Sequence, residues 1–148
     1  MYYFQLIVLL VAVHRFLTGT VAFTAAFDSD RDIESGQILV FNKVLLNFGG
    51  GYSNKTGIFT APSSGVYVFQ IHGLTLKRYD FWVELVHNDQ YIVSAFARQG
   101  NSATLRLKKN DTVCVRTRRR SYLYGRPDEI YTTFVGYRIG LLREGDSE

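Results

Sequence analysis

Apolar positions after residue 20 alternate with polar ones or run as short patches, and they never take a helical period. The clearest stretch is Gly57-Ile58-Phe59-Thr60-Ala61-Pro62-Ser63-Ser64-Gly65-Val66-Tyr67-Val68-Phe69. Ile58-Phe59-Thr60 is β-branched and aromatic, which predicts a short strand. Pro62 lacks an N–H and ends it, and Ser63, Ser64 and Gly65 form the turn. A second strand begins at Val66, with Val66 and Val68 on one face and Tyr67, Phe69 and Ile71 on the other. Both faces are apolar, whereas an antiparallel strand with one wet face alternates. This strand is therefore expected to be covered twice, once by a partner sheet and once by another subunit.

The rest of the chain reads the same way. Residues 21–27 predict a strand with Phe23 and Ala25 on one face, followed by a polar loop at 28–36. Residues 37–47 read as one extended element, apolar on both faces, which a break near Asn42-Lys43 would explain. A glycine bend, 48–51, follows. The strand from Val66 is expected to be the longest and to reach Lys77, with a turn at 77–80. Residues 81–86 place Phe81, Val83 and Leu85 on one face. His87-Asn88-Asp89-Gln90 is a hairpin turn, and 91–96 returns. Residues 103–107 alternate cleanly into Lys108-Lys109-Asn110-Asp111, where Asn110 is the residue suited to positive φ. Residues 112–122 predict a strand running into a basic loop. Residues 130–142 predict the last strand, apolar on both faces. Short strands with turn signals every eight to twelve residues or so describe an all-β sandwich.

Residues 1–20 read as a secretory leader. Leu6 to Val13 is an unbroken apolar run of signal-peptide length, and Thr18-Gly19-Thr20 offers cleavage after Gly19 or Thr20. The segment before the run lacks Lys and Arg; the alternative is a buried N-terminal strand. The expected organisation is a leader at 1–20, one domain at 21–143 and a polar tail at 144–148. The leader predicts an extracellular, secreted protein, and no apolar run reaches the roughly eighteen residues of a membrane span.

Composition narrows the function. A chain of 148 residues is one domain by length, and 47% hydrophobic content suffices for a core. The 17 Lys and Arg outnumber 13 Asp and Glu for a net charge of +4, and leaving out Arg15 of the leader gives +3, too mild for a typical nucleic-acid binder. Cys114 is the only cysteine, so no intrachain disulfide forms. It lies on the strand face opposite Val113 and Val115, as a buried thiol or one paired between chains. Catalysis has little to work with. Outside the leader only His72 and His87 remain, the first expected as a core or interface residue and the second as a solvated tip. No Gly-x-Ser-x-Gly elbow or zinc spacing exists, so the protein is read as a non-enzyme.

Binding chemistry is better represented. Arg116, Arg118, Arg119 and Arg120, with Arg126 beyond, present rigid forks of donors suited to phosphate, sulfate and carboxylate. Tyr122 and Tyr124 add rings that stack on sugars or anchor an interface. The competing reading pairs these arginines with Asp28 to Glu34 or with Asp128-Glu129. The acidic loop, Asp28, Asp30, Asp32 and Glu34, is a weak candidate for Ca²⁺, against a plain solvated loop; no other cofactor is called for. Asn54-Lys55-Thr56 and Asn110-Asp111-Thr112 are N-glycosylation sequons, the second in a tight turn.

Several spaced motifs together resemble the C1q globular head domain of the C1q and tumour-necrosis-factor-like superfamily. They are Phe41-Asn42-Lys43-Val44-Leu45-Leu46-Asn47, Tyr52, Thr56-Gly57-Ile58-Phe59-Thr60-Ala61-Pro62 and Gly65-Val66-Tyr67-Val68-Phe69. Ala22-Phe23-Thr24-Ala25, Leu105-Arg106-Leu107 with Asn110-Asp111-Thr112-Val113, and Thr133-Phe134-Val135-Gly136-Tyr137 agree, with Asn110 where the family usually has Gly. The resemblance implies a ten-strand jelly-roll sandwich and a compact homotrimer, with strands 66–71 and 131–142 facing the axis or the core. No Gly-x-y stalk repeat is present, so a head-only form is expected. It further implies lectin-like pattern recognition of glycans or microbial surface polysaccharide in innate immunity. The alternatives are a trimeric cytokine-like ligand for a protein receptor, with an acidic protein as partner, and a structural extracellular module.

Overall fold

The period-two stretches fold as strands in a computed structural model that describes residues 3, 5–9, 19–75, 81–97 and 99–142. The strands are β1 (Ala22–Ala26), β2 (Arg31–Ile33), β3 (Lys43–Phe48), β4 (Ile58–Thr60), β5 (Gly65–His72), β6 (Phe81–His87), β7 (Gln90–Ala97), β8 (Asn101–Leu107), β9 (Thr112–Thr117), β10 (Ser121–Leu123) and β11 (Thr133–Leu141). They form a five-stranded sheet in the order β3-β1-β11-β5-β8 and a four-stranded sheet in the order β4-β9-β6-β7. A ribbon of β10 and β2 closes one end. Every pairing is antiparallel. This is a jelly-roll sandwich, with eleven strands among the described residues where ten are expected.

Alternation decides which side chains meet between the sheets. Phe23, Tyr67, Phe69 and Phe134 come from the five-stranded sheet, and Phe59, Phe81, Val83, Leu85, Val113 and Val115 from the other; all are buried. Phe23 stacks on Tyr52 at 4.8 Å and on Phe59 at 5.2 Å, and meets Phe134 edge-on at 4.9 Å. Each such side chain contributes about 1.5–3 kcal/mol by leaving water, and the aromatic pairings add about 0.5–1.5 kcal/mol. Two glycines of the sequence motifs have a packing reason. A Cβ on Gly136 would lie 2.4 Å from Phe23 and 2.7 Å from Phe69. Gly57 takes φ +75°, and a Cβ there would lie 2.4 Å from the Leu39 carbonyl oxygen.

Several boundaries differ from expectation. β5 stops at His72, because Gly73 passes under Phe81, where a Cβ would lie 2.9 Å from the ring. The longest strand is instead β11, which starts at Thr133 and not at Ile130. The 37–47 element does break at Asn42, and its halves serve different sheets: Ile38 bridges Arg116 of β9, whereas Lys43–Phe48 pairs with β1. Leu39 and Phe41 reach the core, but Leu45 is exposed. The 112–122 stretch is two strands, β9 and β10, separated at 118–120, where Ser121 Oγ accepts the Trp82 N–H at 3.0 Å. The acidic loop is partly a strand, because Arg31–Ile33 pairs with Ser121–Leu123. His72 is exposed rather than in the core. His87 is not free in solvent, since its Nε2 lies 3.1 Å from Asp111 Oδ2. Asn110 takes φ 73° as expected, and Asn88 and Asp89 take φ 46° and 62° in the hairpin turn.

Residues 5–9 are helical, with Leu6, Ile7, Val8 and Leu9 exposed, so a buried strand does not form there. The rest of the expected leader up to residue 18, the expected turn at 77–80, residue 143 and the tail at 144–148 lie outside the described residues. Among the described residues no helix is long and apolar enough to cross a membrane.

Candidate functional site

The arginines converge on the four-stranded sheet and the ribbon beside it, but they do not form one patch. β9 carries Arg116 opposite Glu84 of β6, so their side chains share the outer face of the sheet. Glu84 accepts from Arg116 Nε at 2.9 Å and from Arg118 Nη1 at 2.9 Å. Its carboxylate is buried, and the two guanidiniums compensate that burial at the cost of their own freedom. The hydrogen bonds to Glu84 raise the pKa of Arg116 further. Arg118 also lies over the Trp82 ring at 5.6 Å and over Tyr91 at 5.5 Å, and Arg119 lies over Trp82 at 5.1 Å. Trp82 meets Phe96 edge-on at 5.6 Å, because β6 and β7 place them opposite one another.

Arg120 belongs to the ribbon. Its Nε and Nη2 bind both oxygens of Asp32 at 2.9 and 2.7 Å, and Glu34 lies 3.5 Å away. Tyr122 donates its hydroxyl to Asp30 at 2.5 Å, and Gly125 N–H donates to the same carboxylate at 3.1 Å. Tyr124 is buried, and Arg126 stacks over its ring at 5.4 Å and donates to its hydroxyl at 3.0 Å. Asn42, Ser29 and Arg31 surround Asp28 and hold its carboxyl below the usual range. The acidic loop and the basic loop thus bind each other along β2 and β10. Among the described residues no group of three or more His, Cys, Asp or Glu is placed to hold a metal ion.

Other sequence-predicted positions are separate from this cluster. Asn54 is exposed in the turn before β4, and Asn110 is exposed between β8 and β9. Cys114 is half-buried on the outer face, opposite Ile58 and Val86, and burial pushes its thiol pKa up. Sequence reasoning missed Glu84, Trp82, Tyr91 and Phe96. A carboxylate inside the apolar run Phe81-Trp82-Val83-Glu84-Leu85-Val86 is the one signal that a cationic partner was needed.

The outer face of the five-stranded sheet is chemically opposite. Register places Phe48, Ala22, Tyr137 and Val68 in one cross-strand row, and Leu46, Thr24, Val135 and Gln70 in the next. Phe48 is 57% exposed and Leu46 38% exposed, with Ile139 and Leu141 exposed along β11. This face carries apolar side chains in open solvent, and β3 is its edge.

The sequence matches the C1q domain over residues 22–139. It is 32% identical over 111 residues to complement C1q tumor necrosis factor-related protein 6 of mouse, covering 68% of this chain and 42% of that protein. The chain therefore spans less than half the length of that relative. Among solved structures it resembles the globular domain of zebrafish complement 1qA protein, with a TM-score of 0.64, 22% identity and coverage of 81% of this chain and 97% of that one. It also resembles Eiger TNF from S. frugiperda, with a TM-score of 0.62, 14% identity and coverage of 88% and 99%. At these identities the structural likenesses establish the fold.

Proposed function

The chain belongs to the C1q-domain family, and from that premise we propose that it works as a secreted, non-enzymatic, homotrimeric recognition protein. In this reading, residues 1–20 are a leader, residues 21–143 are the head and residues 144–148 a tail. The ligands are glycans or microbial surface polysaccharide, bound as in lectin-like innate defence. Asn54 and Asn110 carry the glycans of the protein itself.

The observation that carries this reading is the uncovered apolar face of the five-stranded sheet, with Phe48, Leu46, Tyr137, Val135 and Val68. Burying such a face against other copies of the chain leaves the arginine-bearing face of the sandwich outward. Three weak sites presented together bind a repetitive surface far more tightly than one, without any new contact. The fold likeness to a tumour-necrosis-factor protein also fits a ligand for a protein receptor, which the same experiment separates.

The test is binding of the secreted protein to a panel of neutral and anionic glycans and bacterial polysaccharides, at low and physiological salt, with and without Ca²⁺. Saturable binding to a defined subset is expected, weakening as salt rises. Loss of binding on Ca²⁺ removal alone would return the acidic loop to consideration. No glycan binding, together with saturable binding to cells, would replace this reading by the receptor ligand.

A further inference from the structure

Resting on that reading, we infer that the ligand contact is not the basic loop as a whole but an aromatic and arginine platform on β6, β7 and the end of β9. Its members are Trp82, Tyr91, Phe96, Arg118 and Arg119, with Ser94 between the rings. We further infer that it takes an acidic saccharide, meaning a pyranose that bears a carboxylate or sulfate.

The arginines divide by what already holds them. Asp32 holds Arg120 bidentately through Nε and Nη2, and Arg126 lies against the buried Tyr124. By contrast, one carboxylate, Glu84, holds both Arg116 and Arg118, leaving a surplus positive charge there. Arg119 is exposed, and its guanidinium lies over the Trp82 ring while its carbonyl accepts from Ser121 Oγ. Three guanidiniums thus stand against Glu84, with Asp89 also acting on Arg116, so this face keeps a net positive charge, whereas Arg120 on the ribbon is paired with Asp32.

The same face holds the rings. Phe96 is 50% exposed and Tyr91 53% exposed, on a sheet surface where an isolated chain would favour polar residues. Ser94 Oγ donates to the Tyr91 hydroxyl at 3.3 Å, which leaves that hydroxyl's proton free to donate to a ligand. Trp82 holds both guanidiniums against its ring, so their orientation costs little further entropy on binding.

An acidic pyranose matches each element. Its C–H face packs on an exposed ring, its hydroxyls meet Tyr91 and Ser94, and its anionic group meets a guanidinium fork. The face is flat and strand-borne, and its opposite sheet carries the proposed assembly surface. All three copies in a trimer would thus present it outward.

The experiment is calorimetric titration of the trimer with a short oligogalacturonate and with the uncharged galacto-oligosaccharide of equal length. The variants are Phe96→Ala, Tyr91→Ala and Arg119→Ala, exposed positions whose unfolding midpoints should match the parent. The controls are Arg120→Ala and Arg126→Ala, and Phe96→Tyr serves as the conservative variant. The expected result is binding of the acidic sugar alone, weakened about three- to tenfold by each of the three variants, restored by Phe96→Tyr and unchanged by the controls. If the parent binds but the platform variants bind equally well, this placement is overturned while the glycan reading stands. If the controls lose affinity instead, the ribbon is the site. If the parent binds no sugar of the wider panel, the glycan reading itself fails. Tighter binding of a polyglutamate peptide than of any acidic sugar would assign the platform to a protein partner.

Discussion

A single hydrogen-to-methyl change tests the centre of the molecule. Gly136 sits where Phe23 and Phe69 converge, closer to both than a methyl group allows. Rigid rings flanked by further rings have no space to retreat into. Gly136→Ala is expected to cost about 1–3 kcal/mol of overpacking, seen as a lower midpoint in chemical denaturation with an unchanged slope. Glu84 is the opposite kind of residue. It is a buried charge held by two arginines, so removing both guanidiniums would leave it buried without a cationic partner.

Between elements, the β6–β7 turn is tied to the β8–β9 turn through Asp111. Its carboxylate accepts from Asn88 Nδ2 at 3.0 Å and from the Lys108 N–H at 2.9 Å, with His87 beside it. Asn88 Oδ1 in turn accepts the Thr112 N–H at 2.8 Å. The hydrogen bond from Asn88, followed by those from Lys108 and His87, lowers the Asp111 pKa. A carboxylate lowered on folding adds stability that is complete above its unfolded value of about 4 and is lost as pH falls through the lower folded value. Asp111→Ala is therefore expected to lower stability at neutral pH and to flatten its fall on acidification. Unfolding midpoints measured between neutral and acid pH check this; parallel curves for parent and variant would show that the Asp111 carboxylate adds no pH-linked stability.

For the whole molecule, the decisive question is what covers the five-stranded sheet. Leu46 and Phe48 lie on the edge strand β3, exposed and away from the interior. Replacing both by Glu leaves the core untouched but puts like charges where copies of the chain would meet. The parent is expected to run as a trimer by light scattering, and Leu46→Glu with Phe48→Glu as a folded monomer. A parent that is monomeric at working concentration would remove the assembly from the proposal, and multivalency with it.

Much of this was legible in the chain itself. Period-two alternation put Tyr67 and Phe69 on one face and Phe81, Val83 and Leu85 on another, and those faces are the buried ones; which face turned inward was not decided by alternation. Turn chemistry located Pro62, the Asn88-Asp89 hairpin and the positive φ of Asn110, since local sterics decide these. The motifs carried the family. What the sequence left open depends on pairing between distant segments. Whether Asn42 ends a strand or moves the chain from one sheet to the other depends on where β9 and β1 lie. Whether an arginine is free depends on which carboxylate faces it, and Glu84 and Asp32 reach theirs across 32 and 88 residues. Local propensity is a property of neighbours in sequence, so it located most strands and showed which side chains share a face. The division of the arginines into a neutralised ribbon and an open platform is set by long-range register, which only the tertiary structure decided.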